Sequence, residues 1–243
     1  HFKYLLDKMI TAKLSPGRTG CIALLLLILA VSFSACKKDY YNDSGLQQGK
    51  FAGSSFEYLQ SKPYYFDTVV TIVQLAGLES VIRDSAVTFF APTDYAVMQA
   101  MNVINFDRYQ NFQDSLKLTE VPAAVWKKFL SRYIFRDKYL LKDVPRFQFS
   151  QQELYPGMNL ESWQGYVMNL GVVFSDYNGT RDVGPRTLVL TDIGSLEKPT
   201  NIVATVASSD MQTRNGVVHV LNASHILGFD SFAFANLVKE YLK

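Results

Sequence analysis

The apolar positions of this chain change period partway along it. In "FDTVVTIVQLAGLESVI", Phe66, Val69, Val70, Val73 and Gly77 recur at helical spacing, and Asp67 lies near the positive end of the predicted helix. Ala76-Gly77 supplies its stop. Upstream, Ser55 to Gln60 predicts a short helix ended by Pro63. "AVTFFAP" predicts a strand over Ala86–Ala91, and "TDYAVMQAM" a helix with Thr93 as N-cap and Asp94 in the first turn. From Val121, "VPAAVWKKFLSRYIF" reads as a helix running into a short strand near Tyr133 to Phe135.

Beyond about Phe147 strand patterns take over. "YVMNLGVVFSDY" and "RTLVLTDI" predict two strands around an Asn178-Gly179 turn, with a connection longer than a two-residue hairpin. "NIVATVASSDM" and "GVVHVLNASHIL" predict two more. Asn215-Gly216 precedes the second, and its tolerance of positive φ suits a tight turn. There Val217, His219 and Leu221 share one face, Val218 and Val220 the other. Helices early and strands late predict one α+β domain rather than a parallel βαβ sheet. At the end, Phe234, Leu237, Val238 and Tyr241 mark an amphipathic helix over 230–243, read as docked on its own domain, with a partner-binding helix as the alternative.

The first 35 residues follow a different logic. Eleven residues, "CIALLLLILAV", come after Lys8, Lys13 and Arg18, whereas a membrane-spanning helix needs about 20 apolar residues. A short apolar run behind a basic stretch is the build of a secretory signal peptide. Ser32, Ser34 and Ala35 lead into Cys36, and small residues before a cysteine resemble a bacterial lipobox, with Phe33 where leucine is usual. Residues 1–35 therefore read as a signal peptide, Cys36 as the lipid attachment point, and the Gly/Ser/Asn/Lys-rich stretch 36–54 as a flexible tether. A plain secretory signal is the alternative.

Removing the leader changes the charge. It holds four basic residues and Asp7, so the 24 basic and 22 acidic residues of the whole chain become 20 and 21. The net charge near −1 gives no reason to expect a nucleic-acid partner. Without a second cysteine in the mature chain the fold depends on its core, which its length can supply.

Two segments carry a resemblance. "TFFAPTDYAV" (88–97) and "NGVVHVLNASHIL" (215–227) are similar to the two signature segments of the fasciclin domain, and the order of the intervening elements agrees. The resemblance covers roughly residues 52–229, with the domain placed at 55–229. It implies a single domain, a two-sheet sandwich or wedge flanked by helices. Tyr133 matches the tyrosine of a tyrosine-histidine pair in the family, but Ile134 replaces the histidine, and the interval 145–200 is longer than usual. Extended members resemble the fasciclin-like outer-membrane lipoproteins of Bacteroidota, and the tether "CKKDYYND" is similar to theirs. That likeness implies a surface binding or adhesion module, with a SusC/SusD-type nutrient transporter or glycan as partner. By family carry-over the binding residues are Tyr133, Asp210 and Met211.

The residues offer little for catalysis. His219 and His225 are the only histidines after the leader, and on a continuous strand they would be about 20 Å apart, so a structural role is expected over a shared metal. "DYNGTRD" departs from a calcium loop at its glycine and its twelfth position and reads as a hairpin loop. No nucleophile elbow or phosphate loop is present, so no enzyme and no cofactor are expected. A polysaccharide hydrolase with two opposed carboxylates, or a purely structural envelope protein, stand as alternatives. Trp126, Trp163 and Tyr166 offer rings for sugar stacking, with core packing the expected use.

Overall fold

A computed structural model describes residues 49–194 and 199–243. The leader, Cys36 and most of the tether lie outside the described residues. Helix α1 (Ser55–Gln60) opens with a capping box: Ser54 Oγ accepts the Glu57 N–H, and the Glu57 carboxylate accepts the Ser54 N–H at 2.6 Å. Pro63 does more than close this helix. It takes the first position of α2 (Pro63–Leu75), where a missing N–H costs nothing. Gly77, at φ +67°, ends that run as expected. There follow α3 (Glu79–Asp84), β1 (Val87–Ala91), α4 (Asp94–Gln110), α5 (Ala123–Leu130) and β2 (Ile134–Arg136). The later half contributes β3 (Met158–Glu161), β4 (Val167–Phe174), β5 (Arg186–Gly194), β6 (Pro199–Gln212), β7 (Val217–Leu221) and the terminal α6 (Ser231–Tyr241).

The strands run in the order β2-β1-β7-β6-β5-β4-β3. β6 is shared between two sheets: its first part pairs with β5, leading to β4 and β3, and its second part with β7, leading to β1 and β2. The expected two-sheet wedge is thus one strand order folded about β6. β1 and β7 run parallel and are buried along their whole length, which explains their unbroken apolar runs. Two bulges in β6 opposite β7 sharpen the bend: Val206 to Gln212 spans the same rungs as Leu221 to Val217.

The core draws on helices and strands alike, with Phe56, Phe66, Phe89, Trp126, Phe135 and Phe234 all inaccessible or nearly so. Phe234 anchors α6, meeting Trp126 and Phe129 at ring separations of 5.2 and 5.1 Å, so this helix docks on its own domain. At the other end, the region read as tether is partly ordered. Gln212 donates to the Gly49 carbonyl and Phe51 donates to the Gln212 carbonyl, which places residues 49–51 alongside the end of β6.

Asn215-Gly216 works differently from the expectation. Neither residue has positive φ. A Cβ on Gly216 would lie 2.2 Å from the Val87 carbonyl, so the glycine permits close backbone approach to β1. The Asn215 amide donates to the carbonyls of Ile82 and Ser85 and accepts the Ser55 N–H, joining three segments. Asn178-Gly179 does form the positive-φ turn expected, with reciprocal hydrogen bonds between Tyr177 and Thr180.

Candidate binding surface

Tyr133 is fully buried. Its phenol oxygen accepts the N–H groups of Gly228 (2.6 Å) and Phe229, which occupies both lone pairs. The hydroxyl proton therefore goes to His225 Nε2, 2.7 Å away, and the ring proton of His225 belongs on Nδ1. Gly228 and Phe229 both have positive φ, and the Phe229 ring stacks on Tyr133 at 5.4 Å. The histidine missing at 134 is replaced in space by one 92 residues away. Burial lowers the pKa of His225 to about 3 and raises that of Tyr133, so both are neutral at physiological pH.

Beside this cluster, Arg132 Nη1 donates to the Gly228 carbonyl at 3.1 Å and faces Asp192 at 3.4 Å. Its guanidinium lies between the rings of Phe129 and Tyr166, and the Tyr166 hydroxyl donates to Asp192 at 2.8 Å. Trp126 is buried, and Trp163 is covered by Arg136. The rings expected to pack do pack.

Asp210 and Met211 sit at the second bulge of β6. Asp210 adopts φ +63°, its N–H donates to His219 Nδ1 at 3.1 Å, and its carboxylate accepts the Leu141 N–H at 2.7 Å. His219 Nε2 then donates to the Tyr139 carbonyl at 2.9 Å. This chain of bonds ties the bulge to the 139–143 segment. Burial lowers the pKa of His219, more than its contacts with Tyr139 and Asp210 raise it. Met211 is buried, so of the three carried-over residues only Asp210 has a partly exposed side chain, and it is bonded within the fold. Among the described residues no cluster of His, Cys, Asp or Glu has metal-binding geometry, and no helix is long and apolar enough to cross a membrane.

The surface that stays available lies on α4. Tyr95, Met98, Asn102, Phe106 and Tyr109 recur at three- and four-residue intervals and so share one face, and Phe106 and Tyr109 are 66% and 75% exposed. Three shallow hollows follow this helix. One lies against α6 between Phe106 and Phe232, about 470 Å³ in volume. A second, about 480 Å³, runs beside Met98 and Asn105 to Leu118. The third, about 420 Å³, is at the start of α4 beneath Tyr64, Tyr65 and Tyr95.

The helix start departs from the predicted cap. Thr93 occupies the N-cap position, but its hydroxyl caps nothing and is buried without a partner. Asp94 turns its carboxylate to the Val69 N–H of α2 at 2.9 Å, and burial raises its pKa despite that bond. Sequence reading missed this hollow, because its walls come from residues 64–65, 93–95 and 220–221. The one local signal was the tyrosine pair after Pro63.

The fasciclin domain family model matches residues 65–224. A solved structure, the FAS1 domain pair from the insect cell adhesion molecule Fasciclin I, is similar with a TM-score of 0.45 and 14% identity over 70% of this chain. The match covers 49% of that structure, so this chain spans about half its length. No curated protein matches.

Proposed function

This chain belongs to the fasciclin domain family, and from that premise we propose that it is a non-enzymatic binding and adhesion module. It is a lipoprotein anchored through Cys36 to the outer membrane and facing the cell exterior. It serves there as an accessory subunit of a SusC/SusD-type uptake complex. The observation carrying the binding role is the aromatic face of α4, which the fold leaves exposed while burying the rings of Trp126 and Tyr133. Contiguous exposed apolar surface of this kind marks interaction sites.

The hydrolase alternative needs two carboxylates opposed across a cleft. The acidic residues beside the α4 hollows are otherwise engaged: Asp94 accepts the Val69 N–H and Asp107 pairs with Lys239 at 2.8 Å. Both histidines are buried and bonded within the fold.

Purification of the tagged protein from mildly solubilised outer membranes of its host tests the assignment. A stoichiometric transporter pair is the expected companion, and isolation of the anchored protein alone would refute the accessory role. Release of the Cys36→Ser variant from the membrane is expected as well. Its retention would refute lipid anchoring at that residue.

A further inference from the structure

The hollow at the start of α4 combines three features. Tyr64, Tyr65 and Tyr95 form its aromatic walls, with Tyr64 87% exposed and its ring 4.9 Å from that of Tyr65. Val220 and Leu221 contribute an apolar floor. Thr93, also lining it, is more than nine-tenths buried and has a hydroxyl without any hydrogen-bond partner. A buried hydroxyl left unpaired costs about 1–3 kcal/mol, which a ligand hydroxyl would relieve. The N–H groups of Asp94 and Tyr95 lie ahead of the first intrahelical bonds, which run from Ala96 and Val97 to the Thr93 carbonyl.

Charge narrows the ligand. A helix start ordinarily attracts anions. Here Asp94 occupies the first turn and Asp67 is close enough to raise its pKa, so an anionic ligand would meet two carboxylates. The site holds no Lys, Arg or His. Its volume, about 420 Å³, falls within the usual range for small-ligand pockets. Aromatic walls, an unpaired hydroxyl, spare N–H donors and no cation suit a neutral polyol ring. Its C–H faces would lie on the tyrosines while its hydroxyls take the polar groups.

We propose that this hollow binds a neutral sugar unit of a glycan, held by Tyr64, Tyr65 and Tyr95 and by the Thr93 hydroxyl. The proposal deepens the binding-module reading and rests on it. Asn102 borders both other hollows along α4, and Tyr95 borders this one and the next, so a longer chain has a continuous path along the helix.

The test is affinity electrophoresis of the purified full-length protein through gels containing neutral polymers (yeast mannan, laminarin, dextran or xyloglucan) or anionic polygalacturonate. At least one neutral polymer should retard the protein. The double variant Tyr64→Ala/Tyr95→Ala should abolish the effect, and Thr93→Val should weaken it about tenfold. Thr93→Val removes a hydroxyl that has no partner, so its unfolding midpoint should stay unchanged, which separates lost binding from lost folding. Phe112→Ala, fully exposed beyond the end of α4, should bind normally. Retardation by polygalacturonate alone, by no polymer, or undiminished in the tyrosine variant would overturn the proposal. Sugar binding without transporter co-purification would leave this inference standing and the accessory role refuted. Co-purification without sugar binding would do the reverse.

Discussion

Replacing Tyr133 with Phe removes one oxygen and leaves the ring in place. That oxygen holds three buried partners: the N–H groups of Gly228 and Phe229, and His225 Nε2. Each unsatisfied buried polar group costs about 1–3 kcal/mol, and partial relaxation shares the loss among them. The expected destabilisation is about 2–4 kcal/mol, a large fraction of the stability of an ordinary domain. With a urea slope near 2 kcal/mol/M the midpoint should fall by roughly 1–2 M at unchanged slope. Tyr109→Phe, on an exposed ring, is the control and should not move it. A second measurement checks the pairing itself: His225→Ala should cost less in the Tyr133→Phe background than in the parent, by about 1–2 kcal/mol. A midpoint shift below about 0.3 M, or strict additivity with His225→Ala, would show that the Tyr133 oxygen does not hold the 225–229 turn.

Three further outcomes follow from the same physics. His225 binds its proton less readily folded than unfolded, with a pKa of about 3 against 6.5, so its neutral form contributes stability that is complete above pH 6.5 and lost as pH falls toward 3. The loss is about 2 kcal/mol at pH 5. His225→Leu should flatten the stability-pH curve over this range, and an unchanged curve would contradict the assignment. Asp210→Ala gives up the Leu141 bond and places a Cβ residue without a local acceptor at φ +63°, costing about 2 kcal/mol. Asp210→Asn keeps an acceptor and tolerates that conformation, so chemical denaturation should rank it well above the alanine variant. Gly216→Ala drives a methyl into the Val87 carbonyl and should cost about 3 kcal/mol. Calorimetry should show a melting point roughly 6–12 °C lower, and a drop under about 2 °C would mean β1 and β7 separate easily.

Local pattern carried much of this fold. The helical spacing of Phe66, Val69 and Val73 is the buried side of α2, and the apolar run of β1 is a strand covered on both faces. The strands after Phe147 were legible for the same reason. Contacts between distant residues were not. Nothing near Tyr133 announces that its imidazole comes from position 225. The Thr93 cap failed because Asp94, the next residue, is drawn to α2 by a packing geometry set outside the helix. Asn215-Gly216 kept its place but not its reason, since close approach to β1 and turn formation select the same residue pair. For the candidate site, motif reading pointed toward Tyr133, Asp210 and Met211, positions whose side chains the fold uses internally. The exposed rings of α4 follow a periodic outward stripe, which becomes informative only once the opposite face is seen to be filled by Ala96, Val97, Ala100 and Ile104.

The docking of residues 49–51 beside β6 has a mechanical consequence. If the protein is held at Cys36, tension reaches the domain at Gly49. The first bonds it meets are the two joining Gly49 and Phe51 to Gln212. Arg214 donating to the Gly53 carbonyl follows, and then the Ser54 cap. These would yield one after another, like the teeth of a zip, so modest pulling lengthens the leash by a few residues before any load reaches the core. The peeling stops at α1, where Phe56, Tyr58 and Leu59 are buried and Asn215 grips the Ser55 N–H. Beyond that point the force must shear the packed interior, and the domain changes from a yielding attachment to a rigid one.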